Sequence, residues 1–145
     1  MIEIKRVSKD LIEHEGERRN HEGRHVAYED SQGIVTLGYG RNIQERGISE
    51  AEARVLLHND ILNAAYECQE NLPWFNSLDA VRQEVLVNMV FNLGWPRFSG
   101  FKKMLAALEK GWYSEAAVQM LDSRWADQVG RRAAVLAQRM DRGER

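Results

Sequence analysis

The sequence predicts an α+β fold that is mostly helical, with a small N-terminal β-hairpin lobe and a C-terminal helical lobe joined by a long helix. Three observations lead to this prediction. A turn signal at residues 30–33 separates two short β-type runs. A capping box at residues 49–52 opens a long stretch without helix breakers. Most of the later sequence carries apolar residues at helical spacing.

The length of the chain is that of one domain, and its single cysteine cannot form an internal disulfide. A chain of 145 residues can bury a sizeable core without a disulfide or a metal. We divide it into a first helix at residues 1–15, a β lobe at 16–48, a connecting helix at 49–70 and a helical lobe at 71–145. The only cysteine, Cys68, has no internal partner, and we interpret it as a packed free thiol.

The N-terminal lobe is predicted to contain one helix and one hairpin. Ser8 is a candidate N-cap, and Gly16 is a candidate stop for the helix that follows it. A polar loop comes next. Residues 25–28 and 34–37 then flank an Asp-Ser-Gln-Gly turn with its glycine in the last position, which predicts a β-hairpin.

The remaining elements are predicted to be helices. Ser49 and Glu52 match a capping box, and the helix they open should run to about Glu70. Its apolar residues are spaced for one face: Val55, Leu56, Ile61, Leu62 and Ala65. Ser77 is a candidate cap for a broad apolar helix that ends at Gly94. Three shorter helices are expected at residues 101–110, 114–121 and 131–140.

The charge is small overall but unevenly distributed. The net charge is −2, yet the segment from Arg97 onward carries ten lysines and arginines against six acidic residues. A mildly basic C-terminal lobe could favour an anionic polymer, although this excess is too small to indicate a nucleic-acid partner. No apolar run approaches the roughly 18 residues of a membrane span. The N-terminus also lacks the apolar region of a secretory signal.

Glu15 is the first candidate catalytic residue. It follows Leu11 by four positions and Ile12 by three, which places it on the apolar stripe of the predicted helix. Burial and the negative end of the helix dipole would both favour the protonated carboxyl group, as general acid catalysis requires. The alternative is a partly exposed glutamate at a fraying helix end.

Asp30 and Thr36 are the candidates on the hairpin. Asp30 begins the turn, where an aspartate commonly accepts backbone N–H bonds, and such bonds keep a carboxylate ionised. One protonated and one ionised carboxyl group is the arrangement that a glycosidase uses. Thr36 lies in the second strand, and its hydroxyl could hold a water molecule if its face looks into a cleft. Both residues also suit a turn and a strand without any functional role.

A competing motif lies in the polar loop. The sequence from His21 to His25, HEGRH, fits the H-E-x-x-H signature of zinc peptidases, in which two histidines one helical turn apart bind the metal. That signature needs a helix, whereas Gly23 stands at its centre and a strand follows at once. A third ligand is also not evident. We therefore expect no metal site, and the zinc peptidase is kept as an alternative function.

The chain resembles the phage-type lysozymes, the muramidase family of T-even phage lysozyme, in four segments that follow in the family's order. They are LIEHEGERR, AYEDSQGIVTLGYG, SLDAVRQEVLVNMVFNLG and WYSEAAVQMLDSRWADQ. The resemblance implies a lysozyme-like fold. It assigns the proton-donor role to Glu15, the second carboxylate to Asp30 and the water-positioning hydroxyl to Thr36.

The same resemblance assigns substrate-binding residues in the helical lobe. Phe91 and Asn92 would line the sugar subsites, and Arg132 falls where the family places an arginine against the catalytic glutamate. The interval from Glu15 to Asp30 is about six residues longer than in the T-even protein, an insertion of the kind that surface loops tolerate. Residues 19–26 would then form an extra loop at the mouth of the cleft. This insertion also brings a second HEG sequence, and with it Glu22 as a rival acid.

The resemblance implies a cofactor-independent lysozyme that cleaves the β-1,4 bond between N-acetylmuramic acid and N-acetylglucosamine in peptidoglycan. Carboxyl groups about 6.5–9.5 Å apart would give inversion and about 5–5.5 Å retention, and we expect inversion. The open alternatives are the zinc peptidase, a lytic transglycosylase and a catalytically inactive module that binds cell walls. We expect a monomeric endolysin that stays in the host cytoplasm until a holin releases it to the periplasm or wall. A tail-associated lysozyme domain is the other setting.

Overall fold

The computed structural model describes all residues from 1 to 145. The chain forms two compact units, Met1–Arg54 and Val55–Arg145, and the boundary between them falls inside one long helix. None of the helices is long and apolar enough to cross a membrane. The fold is α+β and mostly helical, with one small antiparallel sheet, as the sequence predicts.

The N-terminal unit is built on a three-stranded antiparallel sheet in the order β1-β2-β3. Its elements are α1 (Ile4–His14), β1 (Tyr28–Glu29), β2 (Val35–Leu37), β3 (Arg41–Asn42), α2 (Ile43–Arg46) and the first turn of α3 (Glu50–Asn71). The central strand pairs Thr36 with Tyr28 on one side and with Asn42 on the other. The predicted hairpin is confirmed, whereas β3 and α2 are too short to leave a periodic pattern and were not predicted.

The predicted start of α1 is wrong, whereas its end lies within one residue of the prediction. The helix begins at Ile4 because the carboxylate of Glu3, and not Ser8, caps it by accepting the N–H of Lys5 at 3.1 Å. It ends at His14, because Glu15 already has an extended backbone with φ −82° and ψ 151°. The apolar spacing continues back through Val7 to Ile4, which accounts for the earlier start.

The C-terminal unit is entirely helical. After α3 and a 3₁₀ turn at Phe75–Ser77 come α4 (Ala80–Leu93), α5 (Trp95–Phe98), α6 (Lys102–Glu109), α7 (Tyr113–Leu121), α8 (Arg124–Val129) and α9 (Arg131–Arg142). Helix α4 supplies much of the core, and its most deeply buried residues are Val85, Leu86, Met89 and Val90. Four further side chains from the later helices are fully buried with them: Phe98, Met104, Met120 and Met140.

Two predictions for this unit need correction. Asp79, and not Ser77, caps α4 by accepting the N–H of Arg82 at 3.2 Å, since residues up to Ser77 belong to the 3₁₀ turn. Helices α5 and α8 were missed because each is only one or two turns long. Helix α8 is nevertheless well capped, because the hydroxyl of Ser123 accepts the N–H of Ala126 at 3.1 Å.

The predicted apolar face of α3 is also wrong. The capping box is present, since the Glu52 carboxylate accepts the N–H of Ser49 at 2.8 Å and the Ser49 hydroxyl accepts that of Glu52 at 3.1 Å. The buried residues of the helix, however, are Ala64 and Cys68, while four of the five predicted ones are exposed: Val55, Leu56, Ile61 and Leu62. Apolar residues occur all round this helix, so their spacing could not select the buried stripe.

Arg82 links α4 to the C-terminal end of α9. Its Nε donates to the carbonyl of Met140 at 2.6 Å, and its Nη2 donates to that of Asp141 at 2.8 Å. The C-terminal carbonyls of a helix lack partners within the helix, so a guanidinium there both satisfies them and complements the dipole. Arg82 therefore fixes the end of α9, the helix that carries Arg132.

Candidate active site

Glu15 is held at the C-cap of α1, with its carboxyl group against a glycine turn. Its backbone N–H donates to Leu11 at 2.8 Å, which completes the last helical hydrogen bond. Its side chain packs on Gly40 so closely that a Cβ atom there would lie 2.9 Å from Oε2. The expected buried stripe is absent, because Glu15 is exposed and α1 buries none of its residues. Glu15 is thus positioned by a backbone contact and not by a hydrophobic pocket.

The residue after Glu15 is tied to the sheet. The hydroxyl of Tyr28, in β1, donates to the carbonyl of Gly16 at 2.7 Å. A Cβ atom on Gly16 would lie 3.4 Å from that same hydroxyl oxygen, so the tyrosine sits directly over the glycine. Glu15 is therefore fixed on one side by Gly40 and followed on the other by an anchored backbone.

Asp30 forms the turn that the sequence predicts. One carboxylate oxygen, Oδ1, accepts the N–H groups of Gln32 at 2.8 Å and Ile34 at 3.0 Å. The backbone closes the same turn, with Gly33 donating to the Asp30 carbonyl at 3.0 Å and adopting a φ of 76°. Because these bonds use Oδ1 only, the direction of the carboxylate is fixed while Oδ2 keeps its acceptor capacity.

Thr36 is the one buried residue of the N-terminal unit, with 4% of its surface exposed. Its hydroxyl donates to the carbonyl of Ile34 at 2.9 Å. Asp30 and Thr36 therefore share a partner residue, since the N–H of Ile34 bonds to Asp30 and its carbonyl bonds to Thr36. With its proton committed in this way, the Thr36 oxygen has only acceptor capacity left for a bound water.

The HEGRH segment does not form a helix. It makes a tight turn in which the side-chain oxygen of Asn20 accepts the N–H groups of Glu22 at 2.9 Å and Arg24 at 3.0 Å. His21 is exposed, while His25 is half-buried with its Nδ1 lacking a hydrogen-bond partner. The two histidines are therefore not one helical turn apart. No group of three or more potential metal ligands occurs anywhere in the chain.

The ion pair between Arg41 and Glu52, in the N-terminal unit, was not predicted. Arg41 donates to both carboxylate oxygens of Glu52, at 3.1 and 2.8 Å, and also to the carbonyl of Gly47 at 3.2 Å. The hydrogen bond from Arg41, followed by the bonds from Ser49, lowers the pKa of Glu52 to about 2. The capping box had already accounted for Glu52, and the sequence gives no sign of its second role.

Of the three substrate-binding candidates in the helical unit, one is exposed and two are held by hydrogen bonds. Phe91 is 43% exposed on α4. The side-chain oxygen of Asn92 accepts the indole N–H of the buried Trp125 at 2.7 Å. Arg132 donates to the side-chain oxygen of Asn88 through Nε at 3.0 Å and Nη2 at 2.7 Å. These bonds fix the directions of the Asn92 amide and the Arg132 guanidinium.

A groove of about 820 Å³ lies within the helical unit, beside Trp125 and Phe101. Its lining includes four cationic side chains and one acidic one: Arg97, Lys102, Lys103, Arg124 and Asp122. The weak positive excess noted in the sequence is thus concentrated in part around one concave surface. Such a surface attracts anionic groups on a polymer.

Comparisons with known proteins agree with this architecture. The family model described as phage lysozyme matches residues 19–142. The chain is 27% identical to the probable T4-type lysozyme 2 of Dictyostelium discoideum over an alignment of 155 positions, which covers 86% of this chain and 88% of that protein. It is 26% identical to the probable T4-type lysozyme 1 of the same organism, with the same coverage.

The family match contains every candidate site residue except Glu15, which lies just before it. The match covers most of both units, including the Asp30 turn, the Thr36 strand and the helices that carry Asn92 and Arg132. The chain therefore belongs to the phage lysozyme family, and it is a lysozyme-type glycoside hydrolase of the cell wall.

Proposed function

We propose that this protein hydrolyses the β-1,4 bond between N-acetylmuramic acid and N-acetylglucosamine in bacterial peptidoglycan, with Glu15 as the general acid. The observation that carries the proposal is the contact between the Glu15 carboxyl group and Gly40. It holds an exposed acid at a fixed position, and the glycine turn follows directly on the strand that bears Thr36. An acid must be both fixed and accessible to protonate a bond in a polymer.

In the proposed reaction Glu15 gives its proton to the glycosidic oxygen as the bond from that oxygen to C1 of the sugar breaks. The sugar ring develops oxocarbenium character, and the carboxylate of Asp30 stabilises the positive charge. A water oxygen then bonds to C1, and the proton that this water loses passes to Asp30. The products are two shorter glycan chains, one of which carries a new reducing end.

Two local features support Asp30 and Thr36 as the residues that orient the water. Oδ1 of Asp30 is occupied by two backbone N–H groups, which leaves Oδ2 to accept a proton from water. The Thr36 hydroxyl already donates to Ile34, so it can only accept a hydrogen bond from the same water. A carboxylate that works through a positioned water predicts inversion at C1.

The helical unit supplies the proposed substrate contacts. The exposed ring of Phe91 and the oriented amide of Asn92 would bind the sugars, and the Arg132 guanidinium would bind an acidic group. The cationic groove beside Trp125 suits the carboxylates of the peptides that substitute peptidoglycan strands. These contacts would give preference for peptidoglycan over an unsubstituted glycan such as chitin.

Mass spectrometry of digested peptidoglycan tests this proposal. Purified cell walls, treated with the protein in EDTA, should release muropeptides with a hydrated reducing N-acetylmuramic acid. New amino termini, or a loss of activity in EDTA, would support the zinc peptidase instead. Anhydro-muramic ends would indicate a lytic transglycosylase, and binding without any product would indicate an inactive wall-binding module.

The stereochemistry has its own test. Proton NMR of a fresh digest should show the α-anomer of the new reducing end first, because inversion of a β-bond produces it directly. Initial appearance of the β-anomer would mean retention. The role of Asp30 would then change from general base to nucleophile.

The cellular role that we attach to this activity is lysis of a bacterium from within, by a monomeric endolysin that a holin releases from the host cytoplasm. The family description supports a phage setting. The relatives in Dictyostelium discoideum show that similar sequences also occur in a eukaryote. Expression in a bacterium with and without a co-expressed holin should give lysis only with the holin, whereas lysis in both cultures would contradict this role.

A further inference from the structure

The inserted hairpin, residues 19–25, is an ordered element with its own closing bonds. Arg19 and His25 form an isolated antiparallel bridge. The N–H of Asn20 donates to the Arg24 carbonyl at 2.9 Å, and Gly23 turns the chain with a φ of 79°. A segment of polar residues with no apolar core thus has a defined shape, and its backbone bonds are satisfied internally.

The Arg19 side chain connects this hairpin to the rest of the N-terminal unit. Its guanidinium donates through Nη1 to the Gly23 carbonyl at 3.0 Å and through Nη2 to the Tyr39 hydroxyl at 3.0 Å. Its Nε donates to the Glu17 carboxylate at 3.3 Å. Because a guanidinium is planar and rigid, these bonds fix its partners relative to one another.

A second contact joins the hairpin to the same tyrosine. The rings of His25 and Tyr39 meet edge to face, with centroids 4.9 Å apart and an angle of 74° between their planes. This is a favourable aromatic geometry. Tyr39 is therefore held at its hydroxyl by Arg19 and at its ring by His25.

Tyr39 occupies the middle of the turn that touches Glu15. It stands between Gly38 and Gly40, whose φ angles are 66° and 82°, and Gly40 is the residue against which the Glu15 carboxyl group packs. Glycine adopts many backbone conformations at little cost, so these two residues by themselves restrict the turn only weakly. Anchoring the tyrosine between them therefore restricts where Gly40 can lie.

We propose that the inserted hairpin positions the glycine turn against Glu15, and that Arg19 and Tyr39 are the positioning residues. The proposal rests on the assignment of Glu15 as the general acid, since the purpose of the contact is to hold that acid in place. It gives a role to the segment in which this chain departs from the T-even protein. Neither Arg19 nor Tyr39 is required to touch the substrate.

Three variants test the proposal through enzyme kinetics. Arg19→Ala removes the guanidinium bonds to Gly23 and Tyr39, and Tyr39→Phe removes only the hydroxyl that accepts the hydrogen bond from Arg19. Arg24→Ala is the matched control, because Arg24 lies in the same hairpin and bonds only through its backbone. We expect the first two to lower kcat about tenfold with little change in KM, since misplacement of a reacting group by about 1 Å can slow a reaction up to a hundredfold.

The double variant adds a sharper criterion. Arg19→Ala and Tyr39→Phe break the same hydrogen bond, so the combined loss should be no larger than the greater single loss. Full addition of the two losses would contradict the proposal. An effect on KM alone would assign the hairpin to substrate binding, and an equal loss in Arg24→Ala would reduce it to a structural element.

NMR makes the outcome independent of the activity. The amide signal of Gly40 and the side-chain carboxyl signal of Glu15 should shift in Arg19→Ala and in Tyr39→Phe, and stay in place in Arg24→Ala. Unchanged signals in the first two would overturn the proposal even if hydrolysis fell. If the wild-type protein releases no sugar products, the proposed function fails, while the NMR result still decides the positioning role. If Arg19→Ala does not fold, Tyr39→Phe alone tests the proposal, because that substitution removes only the hydroxyl group of Tyr39.

Discussion

The Glu15 carboxyl group and Gly40 are in such close contact that a Cβ atom on Gly40 would lie 2.9 Å from Oε2 of Glu15. Gly40 also has a φ of 82°, in the region that disfavours every residue with a side chain. Glycine is therefore required at this position for two separate reasons, its backbone conformation and the space that it leaves for the acid.

We expect Gly40→Ala to abolish most of the activity and to destabilise the N-terminal unit. The added methyl group must displace the Glu15 carboxyl group, and the left-handed backbone costs a non-glycine residue about 1–2 kcal/mol. The measurement is the rate of wall hydrolysis together with the free energy of unfolding in urea.

Gly38→Ala is the matched control for this prediction. Gly38 belongs to the same turn and has a φ of 66°, but a Cβ atom there would meet nothing within 4 Å. It should lose a similar amount of stability and keep far more activity. Equal losses of activity in the two variants would mean that backbone strain, and not the position of Glu15, is what matters.

The Arg41–Glu52 pair predicts a pH dependence of stability. The pKa of Glu52 is lowered to about 2 in the folded protein from a value of 4.5, mainly by the hydrogen bond from Arg41. A group with a lowered folded-state pKa stabilises the fold above its unfolded pKa. This contribution should therefore be complete above pH 4.5 and should disappear as the pH falls towards 2.

The test is thermal unfolding of the wild-type protein and Glu52→Gln between pH 2 and 6. The difference in melting temperature should be largest at pH 6 and should shrink steadily at acid pH. Glu50→Gln, on the same turn of α3, serves as control because its carboxylate pairs only with the exposed Arg54. A Glu52→Gln difference that is constant with pH would contradict the assignment.

Asn92 accepts a hydrogen bond from a buried tryptophan, in addition to its proposed contact with sugar. Trp125 is 4% exposed, and its indole N–H has Asn92 as its acceptor at 2.7 Å. We expect Asn92→Leu to lower the free energy of unfolding by about 1–3 kcal/mol, because a buried donor is left unpaired. Asn92→Asp keeps the acceptor oxygen and should retain most of the stability. Equal destabilisation by both substitutions would show that this hydrogen bond contributes little.

Cys68 should behave as an unreactive thiol. It is fully buried, and burial together with the charge of Glu67 raises the pKa of its thiol to about 12. Because the thiolate is the reactive form, a thiol-specific reagent should label the native protein only as fast as it unfolds. Rapid labelling of the folded chain would contradict the burial of this residue.

Much of the fold could be predicted because local signals agree with it. The turn glycine Gly33, the capping box at Ser49 and the helix stop at Gly94 all act through nearby backbone, and all three are present. The start of α1 was missed because Glu3 is not among the usual N-caps. The buried face of α3 was missed because the packing of Ala64 and Cys68 depends on the core that the helix meets.

The site was less predictable, since its decisive contacts join residues far apart in the sequence. The turn at Asp30 follows from local chemistry. The contact of Glu15 with Gly40, the Arg19–Tyr39 bond and the Arg41–Glu52 pair depend on how the sheet brings separate loops together. The prediction of a buried apolar stripe around Glu15 was wrong. Helical spacing shows which residues share a face of α1, but it does not show whether another element covers that face.

The identity of the general acid is the central claim, and Glu22 is the rival that the second HEG sequence offers. Glu22 lies in the exposed turn of the inserted hairpin, where its carboxylate is 3.7 Å from the exposed His21 ring. Glu15 has the fixed contact with Gly40. The family match begins between the two candidates, after Glu15 and before Glu22, so only an experiment on both residues compares them directly.

The most direct measurement is the rate at which new reducing ends appear in purified peptidoglycan treated with wild type, Glu15→Gln and Glu22→Gln, each with circular dichroism to establish folding. Removing a general acid costs about 10²–10⁴-fold in rate. Our account predicts that loss for a folded Glu15→Gln and wild-type activity for Glu22→Gln. Activity retained by Glu15→Gln and lost in Glu22→Gln would contradict it and would move the catalytic acid into the inserted hairpin.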